Sequence, residues 1–267
     1  MSKQKEILTS PRTLVLLAEE GFEPAEAAAL AARLGLPLVH SREEAGSALL
    51  LRAGADGLAL ESEGQTMRCD LARMLPRLRQ KNLSGELLVH AARIRGLDRA
   101  PTAVDATAGL GEDSLLLAAA GFSVRMYERN PVIAALLKDA LRRAAETPQL
   151  CEIISRMELV EADSLTEMPR LAQIPDLIFL DPMFPTREKS ALVKKKFQLL
   201  HCLELPCAQE EALLQAAFLA SPRKIVVKRP PKGPYLGGRK PNYSLTGKAV
   251  RYDCFVLPGE NGGSPFV

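Results

Sequence analysis

The chain has 267 residues, of which 47% are hydrophobic and 25% are charged, so it can bury the core of one large domain or of two small ones. Its five cysteines are scattered and form no Cys-x-x-Cys pair, which disfavours a disulfide framework and a zinc site and favours a reducing compartment. No signal-peptide core opens the sequence and no apolar run reaches about 18 residues, so we expect a cytoplasmic protein without a membrane span.

The first part of the chain is predicted to be a small α/β subdomain, residues 1–66. It contains a strand at 13–18, an alanine-rich helix at 24–34 and a hairpin formed by 47–52 and 57–61. Residues 67–100 are predicted to be a basic connecting region. Within it we expect a helix over 84–94, with Ser84 as the N-cap.

Strands and helices alternate along residues 101–267, which we predict to be the main domain. The predicted strands end at 105 and then cover 122–127, 157–161, 176–180, 224–228 and 252–257; the predicted helices cover 112–120, 131–145, 164–172, 187–203 and 208–220. Such alternation favours a parallel sheet covered by helices, with ligands bound at the carboxyl ends of the strands.

Asp105 ends the first strand of this domain, and the turn that follows contains Gly109 and Gly111. Glycines at such a turn let backbone N–H groups approach a ligand closely. A dinucleotide fingerprint needs a third glycine, where this chain has Ser114. The offset of Asp105 from the two glycines instead resembles the first motif of methyltransferases that use S-adenosylmethionine, and it predicts a site for that cofactor.

Two further strands are followed by carboxylates. Glu128 comes after strand 122–127, which in a βαβ unit places it beside the glycine turn, where it can accept the hydroxyls of a ribose. Asp163 and Ser164 follow strand 157–161 and are predicted to face an adenine amino group. The alternative for Asp163 is that it caps the helix that begins near Ser164.

A fourth strand, 176–180, is followed by Asp181-Pro182-Met183-Phe184. This loop resembles the Asp/Asn-Pro-Pro-aromatic loop of amino-group methyltransferases. The exocyclic amine of a base is a poor nucleophile because its lone pair is delocalised into the ring. We expect the Asp181 carboxylate and the Pro182 carbonyl to accept hydrogen bonds from the amine, and Phe184 to stack on the extruded base.

The net charge of +3 conceals a polarised distribution. Residues 100–184 carry an excess of acidic side chains, whereas 67–99 and 185–251 carry an excess of basic ones. The two basic blocks flank the proposed cofactor site in sequence and are predicted to form one rim that binds a polyanion. The residues predicted to contact phosphates are Lys189, Lys194, Lys195, Lys228 and Arg229.

With these motifs placed, the chain resembles the small-subunit ribosomal RNA guanine-N2 methyltransferase family (RsmJ type). The stretches that carry the resemblance are 104–111, 125–132, 180–185, the run Lys189-Ser-Ala-Leu-Val-Lys-Lys195, and 226–230. The resemblance implies an α/β, Rossmann-like fold of the S-adenosylmethionine-dependent methyltransferase type with a small N-terminal α/β subdomain. It implies cofactor contacts at Glu112, Asp113, Glu128, Arg129, Asp163, Ser164 and Asp181, which join Asp105, Gly109 and Gly111.

The function implied is methylation of the N2 amine of a guanosine in small-subunit (16S) ribosomal RNA, either as RNA or within the assembled small ribosomal subunit. No metal and no membrane partner is expected, and the sequence leaves the oligomeric state open. Two alternatives remain. An adenine-N6 DNA or RNA methyltransferase would use the same loop, and a non-enzymatic RNA-binding assembly factor could retain the fold.

Overall fold

A computed structural model describes residues 13–62, 64–182 and 209–257. The described residues fall into two compact units that divide between Cys69 and Asp70, so residues 70–100 cluster with the second unit. Among the helices that the structure describes, none is long and apolar enough to cross a membrane.

The first unit is a five-stranded mixed sheet with two helices. Its elements are β1 (Leu14–Ala18), α1 (Pro24–Leu34), β2 (Leu38–Val39), α2 (Arg42–Ala45), β3 (Leu49–Gly54), β4 (Gly57–Ser62) and β5 (Gln65–Met67). The strand order is β2-β1-β3-β4-β5, with β1 parallel to β2 and β3 and the last three strands antiparallel. Helix α1 begins at Pro24, where the lack of an N–H costs nothing because the first N–H groups of a helix have no partner within it. Gly35, in the left-handed conformation, caps its other end.

The second unit begins with short helical segments and continues as an alternation of strands and helices. The first set is a 3₁₀ turn (Leu71–Met74), α3 (Leu75–Leu78), α4 (Gln80–Leu83), α5 (Leu87–Ala92), β6 (Thr102–Asp105), α6 (Glu112–Ala119), β7 (Ser123–Glu128), α7 (Pro131–Ala145) and α8 (Cys151–Ile154). The rest is β8 (Met157–Glu161), α9 (Ser164–Glu167), β9 (Leu177–Leu180), α10 (Glu210–Leu219), β10 (Lys224–Arg229), β11 (Tyr243–Thr246) and β12 (Arg251–Val256).

Seven strands form the sheet of this unit, in the order β11-β12-β10-β9-β6-β7-β8. The five strands from β10 to β8 are parallel, while β12 runs antiparallel between β10 and β11. The chain proceeds outward from β6 to β7 and β8, then returns to β9 on the other side of β6. In doubly wound folds such a reversal marks the place, at the carboxyl ends of the strands, where ligands bind. The parallel, helix-covered sheet predicted from the alternation is therefore observed.

Central strands of this sheet are apolar along their whole length because both faces are covered. Leu177–Leu180 is fully buried, and Val104 and Val227 on the neighbouring strands join it in one core with Leu213 and Ala217 of α10. At the amino edge, the buried carboxylate of Asp176 fastens two strands. It accepts two hydrogen bonds from Arg99, at 2.7 and 2.9 Å, and one from the Thr102 N–H at 2.9 Å.

Two predicted helices differ from those observed. The helix expected from Ser84 begins at Leu87 instead, because Ser84 follows α4 and donates its hydroxyl to the Lys81 carbonyl. The helix expected over 164–172 ends at Glu167 and continues only as a 3₁₀ turn, Met168–Arg170. Pro169 lies in that turn and has no N–H for a further α-helical bond. The predicted helix over 187–203 lies outside the described residues.

Candidate active site

The turn after β6 is held by the side chain of Asp105. This carboxylate is 1% exposed; Oδ1 accepts the Thr107 N–H at 3.0 Å and Oδ2 accepts the Ser114 hydroxyl at 2.6 Å. Burial raises the pKa of Asp105 to about 7, although its two hydrogen bonds act in the opposite direction. The Asp105 carboxylate thus joins the strand end to the first turn of α6, and the cofactor contact predicted for it stays a prediction.

Gly111 is required where this turn enters α6. Its φ of 74° is in the left-handed region, and a Cβ built on it would lie 2.7 Å from Cδ1 of Leu137. Gly109 has φ of 52°, but a Cβ there would meet nothing nearer than 4.0 Å. The turn thus packs tightly against α7 at Gly111 and is open at Gly109, where the backbone is accessible to a ligand.

Glu128 lies beside the open part of the turn, as the βαβ spacing predicted. It ends β7 and is 6% exposed; Oε2 accepts the Gly109 N–H at 3.0 Å and Oε1 accepts the Asn130 N–H at 2.8 Å. Burial raises the pKa of Glu128, and these backbone hydrogen bonds partly offset the rise. A carboxylate has about four acceptor positions. One position on each oxygen is left, which matches the two hydroxyls of a ribose.

Asp163 is half-buried between β8 and α9. Its Oδ1 accepts the Leu165 N–H at 2.9 Å, so the N-cap alternative from the sequence is observed. The cap occupies one oxygen, and the other accepts no hydrogen bond from the residues that the structure describes. Ser164, the first residue of α9, is 7% exposed.

The Asp181 carboxylate, predicted to contact the substrate amine and the cofactor, is also paired with a lysine. The pairing of Val227 with Leu180 places Lys228 next to Asp181, and the Lys228 Nζ lies 2.8 Å from its Oδ2. The same Nζ lies 2.6 Å from Oδ2 of Asp113, in the first turn of α6. We call these three residues the Asp113–Lys228–Asp181 cluster. The Asp181 N–H also donates to the Thr107 hydroxyl at 2.7 Å, which fixes the start of the Asp-Pro loop beside the glycine turn.

The charges of this cluster depend on one another. Burial raises the pKa of Asp181, and the neighbouring ammonium of Lys228 counteracts that rise. Burial alone would lower the pKa of Lys228, but the carboxylates of Asp113 and Asp181 raise it above its ordinary value. Lys228 therefore remains protonated and favours the ionised, hydrogen-bond-accepting form of Asp181.

The other predicted site residues have diverse placements. Glu112 and Arg129 are exposed at the ends of the turns that precede α6 and α7, and Pro182 is buried next to Asp181. Arg229 is 2% exposed and donates to the Pro234 carbonyl at 2.8 Å and to Glu210 at 3.3 Å. Its predicted phosphate contact is wrong, because β10 turns this guanidinium into the core. Lys228 likewise binds two carboxylates where a phosphate contact was predicted. Phe184, Lys189, Lys194 and Lys195 lie outside the described residues.

Sequence reasoning missed the residues that support the site from within. Thr107 and Ser114 orient Asp181 and Asp105, and Lys228 pairs with Asp181. A signal for Lys228 was present, because it lies near the carboxyl end of a parallel strand, as the four predicted motifs do. The basic stretch around it favoured the phosphate interpretation instead.

The chemistry of the site fits S-adenosylmethionine. That molecule presents ribose hydroxyls, an adenine amino group and a positive sulfonium, all of which are matched by acceptors or negative charge. The carboxyl edge of the sheet offers the free acceptor positions of Glu128, the uncapped oxygen of Asp163 and the carboxylates of the Asp113–Lys228–Asp181 cluster. The open backbone at Gly109 leaves room beside them.

Comparison with known proteins agrees with this chemistry. The profile of a family described as putative SAM-dependent methyltransferase matches residues 29–257. A protein of Alkalilimnicola ehrlichii named ribosomal RNA small subunit methyltransferase J is 43% identical over 245 residues, covering 87% of this chain and 91% of that protein. Its namesake from Thioalkalivibrio sulfidiphilus is 42% identical over 243 residues, covering 86% and 92%.

A solved structure extends the similarity to the fold. The crystal structure of a SAM-dependent methyltransferase from Neisseria gonorrhoeae matches with a TM-score of 0.73 at 30% identity, covering 92% of this chain and 97% of that one. The Rossmann-like methyltransferase fold expected from the motifs is confirmed. The chain therefore belongs to the family of S-adenosylmethionine-dependent methyltransferases whose relatives carry the name ribosomal RNA small subunit methyltransferase J.

Proposed function

We propose that this protein methylates the exocyclic N2 amine of a guanosine in small-subunit ribosomal RNA. The observation that carries the proposal is the placement of Asp181. Its carboxylate follows β9 and lies 2.8 Å from the Lys228 ammonium, and its backbone N–H donates to the Thr107 hydroxyl of the glycine turn. Relatives that cover most of the chain are named for ribosomal RNA and the small subunit, which supports RNA as the substrate.

Asp181 would act on the amine by accepting a hydrogen bond from it. The lone pair of that amine is delocalised into the guanine ring, so a fixed acceptor raises its electron density and holds it in one orientation. The Pro182 carbonyl would accept the second N–H. Since these groups are positioned before the substrate arrives, most of the rate enhancement would come from orientation and electrostatics.

Glu128 would bind the cofactor ribose and Asp163 its adenine amino group, each through the acceptor positions that the fold leaves open. Bound S-adenosylmethionine supplies a methyl group already activated on a sulfonium. The protein therefore needs no nucleophile of its own, and the proton displaced from the amine can leave to water.

The test is to identify the methylated nucleoside. Small ribosomal subunits and protein-free 16S RNA, both from a strain lacking the enzyme, are incubated with protein and labelled S-adenosylmethionine, digested, and analysed by chromatography and mass spectrometry. N2-methylguanosine is expected. N6-methyladenosine would replace this proposal with the adenine-N6 alternative. Cofactor binding without any methylated nucleoside would favour the assembly-factor alternative.

An Asp181→Asn variant tests the role of the carboxylate in the same assay. The change removes the charge that holds the amine while keeping the size of the side chain, so methylation is expected to fall by at least about 100-fold. Asp98→Asn is the matched control, because it makes the same chemical change at an exposed position. Retention of wild-type turnover by Asp181→Asn would remove Asp181 from the mechanism.

Comparing the two substrates decides whether the enzyme acts on free RNA or on the assembled particle. Because bacterial ribosomes are assembled in the cytoplasm, the proposal includes a cytoplasmic location.

A further inference from the structure

A basic groove opens at the amino edge of the seven-stranded sheet, opposite the edge that carries the candidate active site. It encloses about 670 Å³ between the end of α5, the start of β10 and the β11–β12 pair. We call it the amino-edge groove. Its polar lining consists of His90, Arg93, Arg95, Arg223, Lys224 and Tyr243, and no carboxylate lines it among the described residues.

Both basic blocks identified in the sequence contribute to this groove. Arg93 and Arg95 come from the first block and are exposed, and neither guanidinium has a carboxylate partner among the described residues. Arg223 comes from the second block; it lies 3.5 Å from Asp176, a carboxylate already paired with Arg99. The groove therefore presents several positive charges that its surroundings do not neutralise, which favours an anionic ligand.

Lys224 builds the floor of the groove. It is 8% exposed, and its Nζ donates to the Ala91 carbonyl at 3.1 Å and to the Arg93 carbonyl. These bonds tie the end of α5 to the first residue of β10. The backbone that carries Arg93 is thereby fixed to the sheet, so the positive side chains project from a defined surface.

Tyr243 provides an aromatic surface beside these charges. Its ring lies 5.9 Å from the Lys224 Nζ, while 41% of the residue remains exposed. An aromatic ring available for stacking among arginines is the combination that binds single-stranded nucleic acid, because bases stack on the ring while cations hold the phosphates. The groove is concave, so its shape does not match a flat membrane surface as the ligand.

We propose that the amino-edge groove binds a single-stranded segment of the RNA substrate, away from the nucleotide that is methylated. The identity of the RNA rests on the proposed function, whereas the site and its chemistry do not. Lys224 and Lys228 lie at opposite ends of β10, roughly 13 Å apart along the strand. One RNA strand that spans this distance can therefore contact both the amino edge and the carboxyl edge of the sheet. Its contact with the groove then determines which base reaches the candidate active site.

The experiment measures binding of a fluorescent single-stranded RNA by anisotropy, at several salt concentrations, together with steady-state methylation of ribosomal RNA. The test variant is Arg93→Glu/Arg95→Glu. The control variant is Lys138→Glu/Arg170→Glu, which changes the net charge equally at exposed positions outside the groove. Calorimetric titration with S-adenosylmethionine verifies that both variants keep the fold of the cofactor site.

For the groove variant we expect RNA affinity to fall roughly tenfold or more at low salt, and the slope of log Kd against log salt to fall by about 1.4, since each lost phosphate contact removes about 0.7. KM for RNA should rise while kcat and cofactor affinity stay near the wild-type values. The control should bind RNA as the wild type does. Tyr243→Ala should weaken binding at least about fivefold, and Tyr243→Phe should restore it.

Equal RNA affinity and salt slope for the groove and control variants would overturn the inference while leaving methylation by the wild type, and so the proposed function, intact. Loss of binding to phosphatidylglycerol vesicles without loss of RNA binding would also overturn it. Conversely, groove-dependent RNA binding by a wild type that methylates no ribosomal RNA would support the groove and refute the proposed function.

Discussion

Replacement of Asp105 by asparagine should change how the stability of the protein depends on pH. Asparagine has the same shape as the protonated carboxyl group: its oxygen can accept the Thr107 N–H and its amide can donate to the Ser114 hydroxyl. The variant therefore keeps the hydrogen bonds that close the glycine turn. What it loses is the ability to ionise inside the fold.

The pKa of Asp105 gives the sign and size of the effect. Burial raises it from the ordinary value of 3.8 to about 7, so between these values the unfolded chain has released the proton that the folded protein still holds. Stability then falls as pH rises, by about 1.4 kcal/mol per pH unit, and the loss is complete above the folded pKa. The total is about 4 kcal/mol across this window, an order-of-magnitude value.

The assay is urea unfolding monitored by far-ultraviolet circular dichroism, from pH 4 to pH 8.5, for the wild type and Asp105→Asn. Subtracting the two curves cancels the other titrating groups, provided that the m-value stays constant. The free energy of unfolding of the wild type, relative to that of the variant, should decrease as pH rises to about 7 and then stay constant. Ser114→Ala should extend the falling part to higher pH, because the hydroxyl lowers the pKa of Asp105. A difference curve that is flat, or that rises with pH, would refute the reasoning.

Three further predictions concern the catalytic edge. Lys228→Met should move the acidic limb of the pH–rate profile to higher pH, because the ammonium no longer lowers the pKa of Asp181, and Lys228→Arg should partly restore it; an unshifted profile would argue against this pairing. Glu128→Gln should weaken S-adenosylmethionine binding in calorimetry by about 1.5–3 kcal/mol, the usual worth of hydrogen bonds to a charged group, and unchanged affinity would exclude the ribose contact. Gly111→Ala should lower the free energy of unfolding by about 2–5 kcal/mol, because backbone strain adds to a steric clash with Leu137. Gly109→Ala should lower it by only about 1–2 kcal/mol, because backbone strain is its sole cost. Equal losses for the two variants would contradict the tight packing at Gly111.

The sequence predicted the order and kind of the main elements where local chemistry and tertiary packing agree. Helix α7 was predicted with its observed bounds, because Asn130 caps it, Pro131 starts it and apolar residues recur at helical spacing. Strand β11, Tyr243–Thr246, was missed. Tyr243 and Leu245 do alternate with Ser244 and Thr246, but the strand has only four residues, all partly or fully exposed, and its conformation depends on pairing with β12.

The positions of the candidate site residues could be predicted from the sequence where the order and direction of the strands determine them. Parallel strands bring Asp105, Glu128 and Asp181 to one edge whatever their side chains do. Which way a side chain points at that edge was not predictable, because it depends on partners distant in sequence. Lys228 and Arg229 are adjacent cations in one basic stretch. The Arg229 guanidinium is nevertheless buried against Glu210, whereas the Lys228 ammonium joins two carboxylates.

The Asp113–Lys228–Asp181 cluster has a consequence for turnover. When both carboxylates are ionised, two negative charges face one positive charge, so the cluster retains a single negative charge. A sulfonium compound is attracted by this field, but the thioether left after its methyl group is donated is electrically neutral. If the cofactor binds beside this cluster as proposed, donation of the methyl group removes this Coulombic attraction, and the product is expected to be held less tightly than S-adenosylmethionine to that extent.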